Sequence, residues 1–291
     1  MILSAASPTL AAGGDLLLTA AALLLYTLAA MPKVAMRRIA SAALLGAFVL
    51  HLLLLLIDIG GIGRDATGMG MGVGMRWGFG PVLSMTVWLM IAVHTVESRF
   101  LPVPAVRSVL AAAGIFAVVA ASVFPGDAKP AHSALAPLHF ALGVGSYALF
   151  AAAVLHATLL DRAERRLRPG GAASLVRSGG GAGGGGTGAA VGMPLLQLER
   201  LTFRFVEAGF VLLTLTLALG MYSMAAWRWD HKSVFSLLAW LVIAALLVGR
   251  RWRGWRGRQA TRWLYAGAAL LLLAYVGSRF VLEVVLARGA A

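Results

Sequence analysis

Histidine is the side chain of this sequence best suited to binding a metal ion. One histidine lies in WRWDHK, residues 227–232, where two tryptophans, an aspartate and a lysine are gathered between two long apolar runs. The chain has no cysteine, so disulfides and thiol chemistry are excluded, and a bound metal would have nitrogen or oxygen ligands. Neither G-x-S-x-G nor H-E-x-x-H occurs. We therefore expect a binding site and no enzyme.

The composition is that of an integral membrane protein. Of the 291 residues, 60% are hydrophobic and only 12% are charged, whereas a soluble domain is roughly half apolar and a quarter charged. A net charge of +14 is also typical of nucleic-acid-binding proteins. Here, however, the basic residues lie in short segments between apolar runs, so we expect the lipid bilayer as partner and no nucleic acid.

Eight apolar runs are long enough to cross a membrane, since a spanning helix needs about 20 residues. Runs that are apolar on every side favour helices over barrel strands. The sequence predicts one all-α, polytopic transmembrane bundle. Its helices are expected at roughly 15–32, 39–58, 79–97, 107–124, 137–160, 202–225, 233–249 and 263–284. Residues 169–193 are glycine-rich and predict a flexible cytoplasmic linker between helices 1–5 (residues 1–168) and helices 6–8 (residues 194–291).

The basic residues predict the orientation of the bundle. Most of the 25 Lys and Arg follow helices 1, 3, 5 and 7, and basic loops stay in the cytoplasm. Both termini are therefore predicted outside the cytoplasm, in a multi-pass protein of the cell's inner (plasma) membrane. The WRWDHK turn between helices 6 and 7 then lies on the outer face.

This topology separates the histidines by depth. His139 begins helix 5 at the outer face, and His51 lies about two turns below that face in helix 2. His94 and His156 lie near the inner ends of helices 3 and 5, where a second, inner site is an alternative. Among the carboxylates, only Asp58 and Glu283 are expected near one depth.

The outer face combines imidazole, indole and basic groups. Imidazole is an axial ligand of haem iron, aromatic rings can cover a flat macrocycle, and basic side chains can pair with haem propionates. Zinc or copper on three histidines is an alternative, but neither metal accounts for the tryptophans. The expected haem-binding residues on these grounds are His139, His231, His51, Trp227, Trp229, Lys232 and Arg279.

The pattern W-x-W-D-x-K, followed by S-x-x-x-x-x-A-W-L and then G-W-R-G-R, resembles the tryptophan-rich region of the cytochrome c assembly family. That family includes the CcsA, CcmC and HemX-like membrane proteins. Leu138-His139 and Ser146-Tyr147 in helix 5 form a second match. PLLQLERLTFRF (194–205) and WDHK are most similar to the short eight-helix HemX/YpjD-like inner membrane branch. The residues that match the tryptophan-rich pattern include Trp227, Trp229, Asp230, Lys232, Trp240, Gly254, Trp255, Arg256, Gly257 and Arg258.

The resemblance implies a haem-handling protein of cytochrome c assembly or haem trafficking, with other assembly membrane proteins as partners. It implies His139 as the external axial ligand, with Asp230 and Trp240 in the haem-binding region. In the family, proline follows the aspartate where His231 stands here, and a second external histidine comes after the tryptophan-rich region. The second iron ligand is therefore left open between His231 and His51, with His231 favoured because its turn would cover the ring.

Two other functions remain as alternatives from the sequence. One is a transporter or accessory protein for another substrate, such as a divalent cation. The other is a cofactor-free regulator of haem synthesis.

Overall fold

The protein is all-α in a computed structural model that describes residues 8–31, 37–60, 75–100, 104–125, 127–129, 135–167, 195–223 and 230–274. These residues form eight helices, as predicted. The helices are α1 Pro8–Ala30, α2 Arg37–Gly60, α3 Phe79–Phe100, α4 Pro104–Val123, α5 Ala136–Leu167, α6 Leu195–Ser223, α7 His231–Arg253 and α8 Gly257–Leu272. The predicted linker, 169–193, lies outside the described residues.

A short two-stranded sheet accompanies the helices. Strand β1, Met75–Trp77, pairs antiparallel with β2, Asp127–Lys129, and Met75 lies opposite Lys129. Strand β1 comes just before α3, and β2 comes just after α4. The sheet therefore lies where α3 begins and α4 ends.

Among the described residues, six helices, α2 to α7, are long and apolar enough to cross a membrane. The apolar part of α1, Asp15–Ala30, is shorter. Several helices extend beyond the predicted apolar runs, because the lipid sets the length of the apolar stretch while helical hydrogen bonding continues into polar residues. Helix α5, for example, runs on through Asp161 to Leu167. The chain is thus a multi-pass membrane protein.

The described residues divide into two compact units. The first comprises those up to Thr95 together with Arg107–Leu138, and the second comprises Val96–Val106 and those from His139 onward.

In the first unit, glycines allow neighbouring helices to approach closely. A Cβ on Gly80 would overlap the main-chain carbonyl oxygens of Ala120 and Phe124, so only glycine lets the start of α3 meet the end of α4. A Cβ on Gly114 would lie 2.6 Å from the Tyr26 ring, which is fully buried. The packing against Gly114 positions the Tyr26 hydroxyl, which reaches His51 of α2.

In the second unit, α5, α6, α7 and α8 share one apolar core. Its buried members are Phe150, Ala153, Ala157, Phe203, Val206, Leu213, Ala239, Ile243, Leu246, Ala260, Leu264 and Leu271. Polar contacts tie α5 to α8 at two levels. The Tyr147 hydroxyl donates to the Leu271 carbonyl at 2.8 Å. The Asp161 carboxylate accepts from Thr261 at 3.0 Å and from Tyr265 at 2.9 Å.

Candidate functional site

His139 lies in the first turn of α5 and packs against the end of α6. A Cβ on Gly220 would come within 3.1 Å of the His139 Cε1 atom and 3.7 Å of Nδ1, so the bare glycine makes room for the imidazole. Within the described residues, Nδ1 is buried and has no hydrogen bond. The Thr216 main-chain carbonyl is a nearby acceptor, but it does not align with Nδ1 as a hydrogen bond. The structure therefore does not commit Nδ1 to a structural hydrogen bond.

The start of α7 lies at the same end of the second unit as His139. The Lys232 ammonium is near enough to His139 to act on it electrostatically. Asp230 caps α7, because its Oδ1 accepts from the Ser233 main-chain N–H at 2.8 Å. His231, the first residue of the helix, is exposed. The cap thus fixes where α7 begins and holds His231 and Lys232 in its first turn.

The environment of Asp230 keeps its carboxyl group ionised. Burial would raise its pKa, but the hydrogen bonds from Ser233 and the positive charge of Lys232 outweigh burial. The pKa of Asp230 is consequently below its usual value. The structure thus gives this residue, expected to contact a cofactor, a role as a helix cap.

Trp240 packs against α6, two to three turns into α7. Its indole N–H donates to the Thr214 hydroxyl at 2.9 Å, and its ring stacks on Phe210 with centroids 5.5 Å apart. These contacts show that the Trp240 indole packs α7 against α6. Three other residues expected at the haem site, Trp227, Trp229 and Arg279, lie outside the described residues.

His51 belongs to the first unit and is 1% exposed. Its Nδ1 is 2.8 Å from the Tyr26 hydroxyl, and its Nε2 is 2.7 Å from the Ser84 hydroxyl. A neutral imidazole donates at one nitrogen and accepts at the other, so the two hydroxyls satisfy both. His51 therefore links α2 to α1 and α3 through its two ring nitrogens. To bind iron, His51 would first have to give up one of these hydrogen bonds.

His51 also lies in the wall of a cavity. Two carboxylates meet at this cavity that the sequence did not predict to be near one another. The sequence paired Asp58 only with Glu283, which lies outside the described residues. In the structure Asp58 and Asp15 line the same cavity of about 350 Å³. Asp15 comes near the start of α1 and Asp58 near the end of α2, so an antiparallel helix pair brings them to one level.

Glu97 is a buried acid that sequence reasoning missed. Its Oε1 lies 3.0 Å from the His156 Nε2 atom, although the two do not align as a hydrogen bond. The His156 Nδ1 donates to the Ala152 carbonyl at 2.9 Å, since a carbonyl can only accept. The sequence signal was available, because Glu97 is the sole acidic residue of α3.

The pair Glu97–His156 is remote from His139. Seventeen residues of α5 separate His139 from His156, or about 25 Å at 1.5 Å per residue. Within the part of the chain that the structure describes, no group of three or more histidines and acids is arranged to hold a metal ion. A protein metal site of the zinc or copper kind is therefore not assembled among these residues.

Comparison with known proteins decides the family. The model of the family described as cytochrome C assembly protein matches residues 78–286, well over half of the chain. The chain belongs to the cytochrome c assembly protein family. The resemblance seen in the tryptophan-rich region is thus confirmed, including its likeness to YpjD. No solved structure matches the chain.

Two relatives illustrate how far the similarity extends. Inner membrane protein YpjD of Escherichia coli (strain K12) is 42% identical over 95 residues, which are 32% of this chain and 36% of YpjD. Cytochrome c biogenesis protein CcsA of Prochlorococcus marinus (strain NATL1A) is 38% identical over 86 residues, 28% of this chain and 27% of CcsA. The aligned parts therefore cover about a third or less of these cytochrome c assembly relatives.

The G-W-R-G-R pattern, one of those that resemble the cytochrome c assembly family, forms the turn between α7 and α8. Gly254 has a φ of 67°, the left-handed conformation that favours glycine at a helix end. The Trp255 ring lies over Gly249, where any Cβ would overlap it, and stacks on Trp263 with centroids 5.2 Å apart. Gly257, at φ 54°, sits beside the Glu164 carboxylate. The pattern is explained as a tight, aromatic-filled turn.

An ion pair supports the same end of the second unit. The Arg250 guanidinium donates to Glu199 Oε1 at 3.0 Å and lies 3.4 Å from the centroid of the Phe203 ring. Arg250 lies in the last turn of α7 and Glu199 lies near the start of α6, so this end is opposite to the one that carries His139. The family match includes both ends of the unit, since it begins at residue 78.

Proposed function

We propose that this cytochrome c assembly family protein holds haem at the end of the second unit where α5 and α7 begin and α6 ends. In this proposal His139 is an axial ligand of the iron, and the role is in cytochrome c assembly or haem trafficking. The observation that carries the proposal is His139 itself. It lies within the family-matched segment, in a space left by Gly220, and its buried Nδ1 has no hydrogen bond among the described residues.

The residues at this end suit haem chemically. When bound, haem supplies a redox-active iron, and a histidine ligand usually directs its second ring nitrogen to a carbonyl or carboxylate. The Thr216 carbonyl near His139 is such an acceptor, available once the ring adjusts. Lys232 offers a cation for a propionate. His139 would thus supply one axial ligand of the iron, and Lys232 would supply one contact to a propionate.

His231 is the better candidate for the second axial ligand. It is exposed in the first turn of α7, next to Lys232, which acts on His139. Both nitrogens of His51, by contrast, are already hydrogen-bonded. Trp227 and Trp229 would cover the ring, as the resemblance implies.

We further propose that the His139 end faces outward and that both termini lie outside the cytoplasm. The opposite end carries the three arginines of the last turn of α7, Arg250, Arg251 and Arg253. Basic residues are retained on the cytoplasmic side, which supports this orientation and a location in the inner membrane.

The test is the haem content and reduced spectrum of the purified full chain. His139→Gly should lose haem, and added imidazole should restore both the content and the spectrum, because free imidazole can replace the missing ligand. His231→Ala should lower haem retention, and His51→Ala should lower it less. Leu138→Ala is the matched control at the same helix end, since Leu138 is 51% exposed. Full haem with an unchanged spectrum in His139→Gly would refute the proposal.

A further inference from the structure

A polar cavity occupies the end of the first unit where α1 and α3 begin and α2 and α4 end. Its volume is about 350 Å³. Four of its polar wall residues lie on three different helices: Asp15, His51, Asp58 and Ser84. Three of these four precede residue 78, where the family match begins, so the family does not account for the cavity.

We infer that this cavity binds a small organic cation, with an ammonium group near Asp15 and Asp58 and an apolar body against the aliphatic wall. The inference is independent of the haem proposal. It rests on the charge of the wall, the size of the space and the rigidity of its floor.

The wall favours a positive ligand. Asp15 and Asp58 contribute carboxylates, and the described wall contains no lysine or arginine. Both aspartates also interact elsewhere in the chain, so a ligand would share them. A carboxylate has about four acceptor positions, which leaves capacity for an N–H donor. Asp15 is the first residue of the apolar part of α1 and Asp58 is the last residue of the apolar span of α2, so both carboxylates lie at the boundary of the apolar segments.

The size and the apolar part of the wall favour an organic molecule over a metal ion. At about 30 Å³ per water, the space would take about a dozen water-sized groups. That is at the lower end of the range for ligand pockets. Leu54, Leu55, Ile57 and Val118 supply an apolar surface. No group of three or more metal-binding side chains occurs within the described residues.

The floor of the cavity is held by a hydrogen-bonded chain across three helices. His51 is fixed between Tyr26 of α1 and Ser84 of α3. Tyr26 is in turn packed against Gly114 of α4, where a Cβ would come within 2.6 Å of the ring. The floor is thus linked to all four of these helices.

The experiment is calorimetric titration of the full chain in detergent with 2-phenylethylammonium, using 2-phenylethanol as the uncharged analogue of equal size. We expect saturable binding of the amine at one site and at least tenfold weaker binding of the alcohol. Asp15→Asn combined with Asp58→Asn should weaken amine binding at least tenfold and leave haem content unchanged. Glu207→Gln, an exposed carboxylate of α6, is the matched control and should bind as wild type.

A second variant keeps the test decisive if the double variant does not fold. Ala121→Leu places a larger apolar side chain in the wall without changing its charge, and it should abolish binding of both probes. Equal binding of amine and alcohol, or wild-type amine binding by either the double variant or Ala121→Leu, would overturn the inference. So would amine binding that disappears in His139→Ala and persists in the double variant, because the amine would then be bound to haem iron.

Discussion

Substitution of Gly220 tests whether His139 binds haem through its position against α6. A Cβ at Gly220 would lie 3.1 Å from the His139 Cε1 atom. Ordinary contacts begin at about 3.4 Å, so Gly220→Ala must move the ring by a few tenths of an ångström. Metal–ligand distances tolerate only about ±0.2 Å. We therefore expect the affinity for haem to fall about tenfold, which corresponds to about 1.4 kcal/mol. This value is at the lower end of the free-energy cost of overpacking.

The same substitution should have the opposite effect on the protein without haem. Alanine in a helix is favoured over glycine by about 0.5–1 kcal/mol, so the thermal stability of the haem-free chain should be kept or increased. Gly220→Val should lower haem retention further, by about ten- to a hundredfold on the same overpacking range. Opposite changes in haem binding and stability cannot arise from general misfolding.

Gly143→Ala is the matched control for this experiment. A Cβ there would lie 3.6 Å from the Thr216 Cγ2 atom, an ordinary contact, so the helix gains stability without moving His139. The assay is haem content by pyridine haemochrome, together with the rate of haem transfer to apomyoglobin. Wild-type haem content and transfer rate in Gly220→Val would refute the role assigned to His139.

Three further predictions concern topology, the linker and the cap of α7. Alkaline phosphatase fused after Ala291 should be active, and a fusion active only as a cytoplasmic reporter would contradict the outside placement of the termini. Deleting residues 170–192 should leave membrane insertion and haem content nearly unchanged, because a flexible tether adds little to packing; loss of membrane accumulation would show that the segment is structural. Asp230→Ala should lower thermal stability at pH 7 by about 1 kcal/mol, and Asp230→Asn by less. Because the folded pKa of Asp230 is lowered, the part of this stabilisation due to its charge should be present at neutral pH and disappear below about pH 4.

The sequence predicted the helices well because bilayer thickness imposes a length and a composition that can be counted along the chain. All eight predicted runs correspond to helices in the described residues. Their ends were less predictable. Helix α5 continues past residue 160 to Leu167, and its Asp161 accepts from Thr261 and Tyr265 of α8, a tertiary contact that hydropathy does not register.

The candidate site was predictable in part. The position of His139 at a helix start followed from its place in an apolar run, and its packing against Gly220 is consistent with that. Trp240 was grouped with the haem-binding residues through the resemblance, yet its indole is used by Thr214 and Phe210. Tryptophan is used both for covering a cofactor and for packing between helices. Only the identity of the neighbouring helix shows which of these two roles a given tryptophan has.

The pairing of acids was not predictable, because it depends on which helices are neighbours. Glu97 contacts a histidine 59 positions later in the sequence, and Asp15 shares a cavity with Asp58 across an antiparallel helix pair. Depth arguments assign each residue to a level in the membrane, but they do not say which helices meet at that level. For Asp58, depth therefore did not reveal Asp15 as a neighbour, and its expected proximity to Glu283 lies outside the described residues.

Buried polar groups of this bundle are of two kinds, and the difference indicates where ligands bind. Asp161 with Thr261 and Tyr265 forms a compact contact between neighbouring helices, so its function is explained by the fold. The Nδ1 atom of His139 and the cavity beside Asp58 keep capacity for a further partner: the first has no hydrogen bond among the described residues, and the second encloses space. In lipid there is no bulk water to satisfy a buried atom such as the His139 Nδ1, and leaving it unsatisfied costs free energy. Haem ligation through the other ring nitrogen, with Nδ1 turned to the Thr216 carbonyl, would remove this cost in the proposed site, whereas the cation proposed beside Asp58 is argued from the charge and the space of the cavity.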